Sequence, residues 1–302
     1  MDLVQDFLGD CRLRGMSPTT VVHYGYCLNS FCQYLDQRGS DILQVERDIL
    51  RGYIDHLRRE GKSSKTLENI FSVLSSFFDY LVYENWMDSN PVLPVRKRYL
   101  RNYKDNGDSH TRKLISVEEM ARMIIATLDP RDQAILILLA KTGIRRNELI
   151  TLDVSDVDLI ENKIRLKPTA KRSNRTVFID DEAAFILRKW LRIRKDMKTA
   201  SPALFIGHRS GRLERHGIYD IVIEAAKRVG LHDPTSDRME DHFSPHCCRH
   251  WFTTHLRRAG MAREFIQELR GDARREAIDI YDHIDEKELK EAYLACIPRL
   301  GI

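Results

Sequence analysis

The sequence predicts a mainly α-helical protein with a small antiparallel β-sheet, divided between two domains. Three observations carry that prediction. Apolar residues recur at spacings of three and four through residues 1–95. Short β-like runs cluster between residues 157 and 179. A segment crowded with lysine and arginine, residues 96–113, separates the first part from the rest. A chain of 302 residues, 42% hydrophobic, is long enough to bury two cores.

The elements follow in order. Ser17-Pro18 is a helix start, a serine cap with proline at the first helical position. Val21, Tyr24, Leu28, Phe31 and Leu35 then form one apolar stripe, ended by Gly39-Ser40. Ile49, Tyr53, Ile54 and Leu57 mark a second helix, stopped near Gly61, and Leu67, Ile70, Phe71, Leu74, Phe77, Phe78 and Leu81 mark a long third. Asn90-Pro91 breaks the pattern. Residues 1–95 are therefore read as one helical domain and 96–113 as an exposed basic linker, either a plain solvated tether or a strap for a polyphosphate.

Residues 114–302 form the second domain. Ser116 with Glu119 reads as a capping box. The apolar run 134–139 leads into Thr142-Gly143-Ile144-Arg145-Arg146-Asn147-Glu148-Leu149. The β-like runs are 157–160, 163–166 and 176–179, the first two joined at Glu161-Asn162 and the last two by a basic loop holding Lys167, Lys171, Arg172 and Arg175. Helices are expected over 182–195, 216–229 and, as a short amphipathic piece, 286–302.

Charge and cysteine content limit the function classes. Lys and Arg total 49 against 45 Asp and Glu, a net charge of +4, so local patches rather than bulk charge must argue for nucleic acid. The six cysteines form no CxxC pair, so neither a zinc ribbon nor a disulfide framework is indicated, and a reducing, cytoplasmic setting is expected. No stretch is apolar for about 18 residues and no signal leads the chain, so no membrane partner is expected.

Chemistry concentrates in three places. His246 and Arg249, in the run HCCRH after Pro245, share a face if that segment is helical, and such a pair suits a phosphate. Tyr281 downstream is a candidate nucleophile. The bland alternative is a structural ion pair beside a core tyrosine. Arg145 with Glu148 in TGIRRNEL, and Lys171 in the basic loop, complete the set.

TGIRRNEL, then HCCRH, then IYDH in that order resembles the tyrosine recombinases, or phage integrases, which share a catalytic fold with type IB topoisomerases. The resemblance spans nearly the whole chain. It implies a SAM-like core-binding domain over 1–95 and a catalytic domain over 114–302. It further implies a site-specific recombinase that cleaves and rejoins double-stranded DNA through a 3′-phosphotyrosyl intermediate, with no cofactor and no metal. Arg145 and Arg249 would clamp the phosphate oxygens and Glu148 would buttress them. Lys171, with Lys167 as competitor, would protonate the leaving 5′ oxygen. His246 would assist proton transfer or bond the phosphate, and Tyr281 would attack phosphorus. A homotetramer on two duplexes, a monomer off DNA, and a simple Xer-like chain without an arm-binding domain are also implied.

One position departs from the pattern. The family usually has histidine or tryptophan nine residues before the tyrosine, where this chain has Asp272. An ionised aspartate cannot donate to a phosphate, so Asp272 is expected to orient an arginine, Arg270 or Arg249, or to cap a helix. The rival readings are a type IB topoisomerase-like enzyme and a non-catalytic DNA-binding regulator. Elsewhere, Tyr293 is expected in the core, His250 and His255 as helix-packing residues, and Arg188, Lys189, Arg192, Arg194 and Lys195 as a solvated basic face.

Overall fold

The computed structural model describes residues 2–100, 114–168, 175–207, 210–236, 238–272 and 284–302. The chain divides into two compact units, Met1–Asp108 and Ser109–Ile302.

The first unit holds five helices: α1 (Leu3–Leu13), α2 (Pro18–Asp36), α3 (Arg47–Arg59), α4 (Ser64–Tyr83) and α5 (Val92–Tyr99). Side-chain caps fix three of the starts: Asp2 accepts from the Val4 and Gln5 amides, Ser17 from Thr20, and Ser63 from Thr66. Aromatic side chains fill the core, with Phe7 edge-on to Phe77 at 5.3 Å and Phe31 against Tyr53 at 4.9 Å. Two features differ from the sequence reading. α1 is an additional helix, with Val4, Phe7, Leu8 and Cys11 as its buried stripe; its sequence pattern is only three turns long and carries Gly9 in its middle. The basic linker expected from residue 96 begins inside a helix instead. Asn90 accepts from the Val92 amide at 2.8 Å, and Val92 and Val95, one turn apart, bury against the core. That anchors Arg96, Lys97 and Arg98 on helix α5; residues 101–113 lie outside the described residues.

The second unit is built on α6 (Val117–Ile125), α7 (Pro130–Thr142), α8 (Arg146–Thr151), β1 (Val157–Asp158), β2 (Lys163–Leu166), β3 (Arg175–Phe178), α9 (Asp181–Asp196), α10 (Arg215–Arg228), α11 (Pro245–Arg258), α12 (Arg263–Arg270) and α13 (Glu286–Cys296). α7 is its axis. Every residue from Ala134 to Thr142 is buried, the mark of a helix enclosed on all sides, here by α9, α11 and their neighbours. The strands form an antiparallel sheet in the order β1-β2-β3, with Ile164 opposite Val177 and Leu166 opposite Arg175.

β1 is shorter than expected because the Asp158 carboxylate accepts from the Ile160 and Glu161 amides and turns the chain out of the ladder. Arg194 is not solvated. It is buried in the last turn of α9 and donates to the Ala203 and Ser201 carbonyls, while Arg188, Lys189, Arg192 and Lys195 are exposed. His250 is exposed rather than packed, whereas His255 lies against Trp251 at 4.6 Å. Tyr293 is fully buried, donating to the Lys141 carbonyl at 3.0 Å. α13 stops at Cys296, short of residue 302. Pro298 has no amide to continue it, and the amides of Leu300, Gly301 and Ile302 donate to Glu182 instead.

Candidate active site

The site begins where α7 ends. Gly143 adopts a left-handed conformation, φ 60°, and a Cβ there would stand 2.3 Å from the Phe252 ring, so only glycine fits this close approach. Its carbonyl accepts from Arg249 Nη1 at 2.6 Å. The chain then enters α8 with Arg145 at the cap position. Glu148 caps that turn by accepting from the Arg145 amide at 2.6 Å.

Glu148 is a buried carboxylate held by a fork. Arg175, at the start of β3, reaches its two oxygens at 2.8 and 2.9 Å, and Arg175 Nε donates to the Leu269 carbonyl at 3.1 Å. One carboxylate thus ties α8, β3 and the end of α12 together. Burial alone would raise the Glu148 pKa, but the Arg175 bonds, the Arg145 amide and both guanidinium charges hold it below the usual glutamate range.

α12 ends at Gly271, again left-handed, φ 57°, where a Cβ would lie 2.6 Å from the Arg175 guanidinium. This turn aims two acceptors at one place. The Arg270 carbonyl accepts from Arg145 Nη1 and from Arg249 Nη2, both at 2.9 Å. Asp272 Oδ1 accepts from Arg145 Nη2 at 3.0 Å and Arg249 Nη2 at 3.2 Å, and Oδ2 lies 3.0 Å from Arg270 Nε. Two arginines 104 residues apart in sequence therefore converge on the same pair of oxygens. Burial lowers the pKa of Arg249 to about 9, with Arg145 and Arg270 pushing the same way; it stays charged at neutral pH.

Both arginines open onto a cleft of about 600 Å³, which His246, exposed in the first turn of α11, also lines. Arg145, Glu148, His246, Arg249 and Asp272 are thus gathered in one place. Lys171 and Tyr281 lie outside the described residues. Lys167 is held by carboxylates: it pairs with Asp153 and lies 3.5 Å from Asp156, and the Asp153 hydrogen bond raises its pKa. Sequence reasoning missed Arg175 as the partner of Glu148. The signal available was a glutamate in a helix start followed by an otherwise apolar run, which requires a cation if buried.

Chemically, this end of the cleft presents two guanidinium groups side by side. The guanidinium groups of Arg145 and Arg249 are fixed from behind by Gly143, Glu148 and the Arg270 carbonyl. A planar, permanently charged donor set of this kind stabilises negative charge developing on oxygen.

Comparison with known proteins speaks to family and fold. Residues 113–288 match the phage integrase family model, and residues 4–85 match the phage integrase N-terminal SAM-like domain. The chain is 31% identical to tyrosine recombinase XerC of Thermodesulfovibrio yellowstonii, over 96% of this chain and 94% of that one. It is 28% identical to tyrosine recombinase XerD of Listeria monocytogenes, over 99% of each. Among solved structures, the Tn1549 transposon integrase in complex with circular intermediate DNA superposes with a TM-score of 0.69 at 19% identity, covering 96% of this chain and 98% of that one. A lambda integrase dimer bound to a core site gives 0.69 at 17% identity, covering 94% and 98%. At these identities the structures speak for the fold.

Proposed function

The chain belongs to the phage integrase family of tyrosine recombinases, and from that premise we propose that it is a site-specific recombinase acting on double-stranded DNA. Tyr281 supplies the nucleophile. Its phenol oxygen forms a bond to phosphorus while the bond from phosphorus to the 5′ oxygen breaks, leaving a 3′-phosphotyrosyl protein and a free 5′-hydroxyl. The phenol proton leaves toward His246, and Lys171 protonates the departing 5′ oxygen. A 5′-hydroxyl from the second duplex then attacks the phosphotyrosine, restoring the phosphodiester and the tyrosine. No energy source is needed, because the covalent bond stores the phosphodiester energy. Exchange between two duplexes calls for four protomers, one for each strand cut.

The observation that carries this reading is the convergence of Arg145 and Arg249 on shared acceptors. Such a pair fits the equatorial oxygens of a phosphoryl group in transfer. Glu148 and Arg175 act as positioning residues, setting Arg145 through the α8 cap. Asp272 takes a positioning role too, since its carboxylate accepts from both guanidiniums.

The test is covalent trapping on nicked duplexes drawn from the DNA flanking the gene. Wild type is expected to form a protein–DNA adduct stable to denaturant, and Tyr281→Phe to bind without forming it. An adduct that survives in Tyr281→Phe removes Tyr281 as nucleophile. Binding with no adduct in wild type favours a DNA-binding regulator. Relaxation of supercoiled plasmid without exchange between two sites favours a topoisomerase-like enzyme.

A further inference from the structure

The cleft that ends at Arg145 and Arg249 is also lined by Arg146, Arg215 and Tyr219, which the chemistry above does not use. The Arg146 guanidinium carbon lies 5.9 Å from the centre of the Tyr219 ring. That cation–π placement biases a planar guanidinium toward one orientation. Among the described residues neither Arg146 nor Arg215 forms an ion pair. Burial and the charge of Arg215 both push the Arg146 pKa down. Arg146, half-buried, and Arg215, exposed, line the same cleft; like charges there repel each other in the free protein, and an anion between them relieves that repulsion.

That anion is not the one held by the neighbouring clamp. Arg145 is the cap of α8 and Arg146 its first helical residue. Arg145 faces the Arg270 carbonyl and Asp272, while Arg146 lies over Tyr219, on α10. The cleft therefore offers two arginine pairs to one ligand, and a ligand with anions at regular intervals matches them. A nucleic-acid strand is such a ligand.

We propose that Arg146 and Arg215 together bind one backbone phosphate of the DNA, flanking the phosphate clamped by Arg145 and Arg249, with Tyr219 holding the Arg146 guanidinium in place. The proposal rests on the recombinase reading for the identity of its ligand. It assigns a second phosphate site and makes the register of the strand across the cleft depend on it.

The experiment measures binding of the full chain to a mixed-sequence duplex over a range of NaCl concentrations. Each phosphate neutralised contributes about 0.9 to the slope of log affinity against log salt. Arg146→Gln and Arg215→Gln are each expected to lower that slope by about 0.9, and the double variant by about 0.9 as well, because both act on one phosphate. Arg146→Lys is expected to keep the slope. Unchanged slopes in variants that unfold at the wild-type temperature overturn the proposal. A loss of about 1.8 in the double variant overturns the shared site in favour of two separate phosphates. Should wild type bind no duplex at all, the recombinase reading fails and takes the proposal with it; normal wild-type binding with unchanged variant slopes sinks the flanking site alone. A second readout places the site. Neutral methylphosphonates are stepped along a strand that wild type cleaves. One substitution, beside the cleaved bond, should abolish the difference in affinity between wild type and Arg146→Gln. A difference that persists at every position overturns the assignment.

Discussion

Two ionic clusters stand at the end of α7, two residues apart in the chain, and they are built on opposite principles. In the first, Lys141 is completely buried and donates to Asp180 at 2.5 Å, Glu182 at 2.6 Å and the Pro298 carbonyl at 2.6 Å. Three amides of the C-terminal tail also donate to Glu182. One cation faces two carboxylates, and backbone dipoles make up the balance. In the second, Gly143 hands its carbonyl to Arg249, and Arg145, Arg175, Arg249 and Arg270 gather around Glu148 and Asp272. Among the described residues these four guanidinium groups meet two carboxylates, at the wall of an open cleft. The first cluster is closed to further partners and serves the fold. The second borders the cleft, and Arg145 and Arg249 line its wall. Burial and charge balance together, rather than the number of ion pairs, separate scaffold from site.

The largest effect that can break this comparison is on stability. Lys141→Met leaves Asp180 and Glu182 buried without their cation and loosens the tail, and is expected to cost about 3–5 kcal/mol. Denaturant unfolding of the variant beside wild type measures it. A cost below about 1 kcal/mol, the range of an exposed pair, would mean that the cluster is not closed. The corresponding change in the open cluster acts on rate. Arg249→Lys keeps a charge but loses the fork that serves Gly143 on one side and the Arg270 carbonyl with Asp272 on the other. Formation of the covalent adduct should slow about 10²–10³-fold, as for loss of one preorganised oxyanion donor, while duplex binding changes little. Equal losses in binding and in adduct formation would recast Arg249 as a plain DNA-binding residue.

The open cluster was the more legible of the two in the sequence. Arg145, Glu148, Arg249 and Asp272 lie in or beside short runs that resemble the family's motifs, and the resemblance implies their roles, while the helices around them follow from apolar periodicity. The closed cluster was not legible. Lys141 looks like an ordinary lysine at a helix end, and its partners come from α9 and from a tail about 160 residues away. Arg175 shows the same limit. The basic loop offers Lys167, Lys171, Arg172 and Arg175, and only the strand register, which sets Arg175 opposite Leu166, selects the one that meets Glu148. Asp272 could be assigned to an arginine from charge alone, yet its contact with both Arg145 and Arg249 depends on the left-handed turn at Gly271. Pairing across the fold is tertiary information, and local pattern does not contain it.

The smallest effect sharpens the comparison, because Glu148 belongs to the open cluster but is itself as enclosed as a scaffold residue. Glu148→Gln keeps the shape and one acceptor but leaves Arg175, also buried, without a counter-charge. A loss of about 1–3 kcal/mol of stability is expected at neutral pH. The pH dependence identifies the charge as the cause. The pKa of Glu148 in the folded protein lies below its ordinary value, so the unfolded chain takes up the proton first as pH falls. The stability that the carboxylate contributes is therefore complete above about pH 4.3, the ordinary glutamate value, and drains away as pH drops through the lower folded value. Glutamine has no such term. The gap in unfolding free energy between wild type and Glu148→Gln should be widest at neutral pH and should narrow steadily below that point. A gap that stays constant across the acid range would assign the cost to packing and leave the Arg175 fork without an electrostatic role.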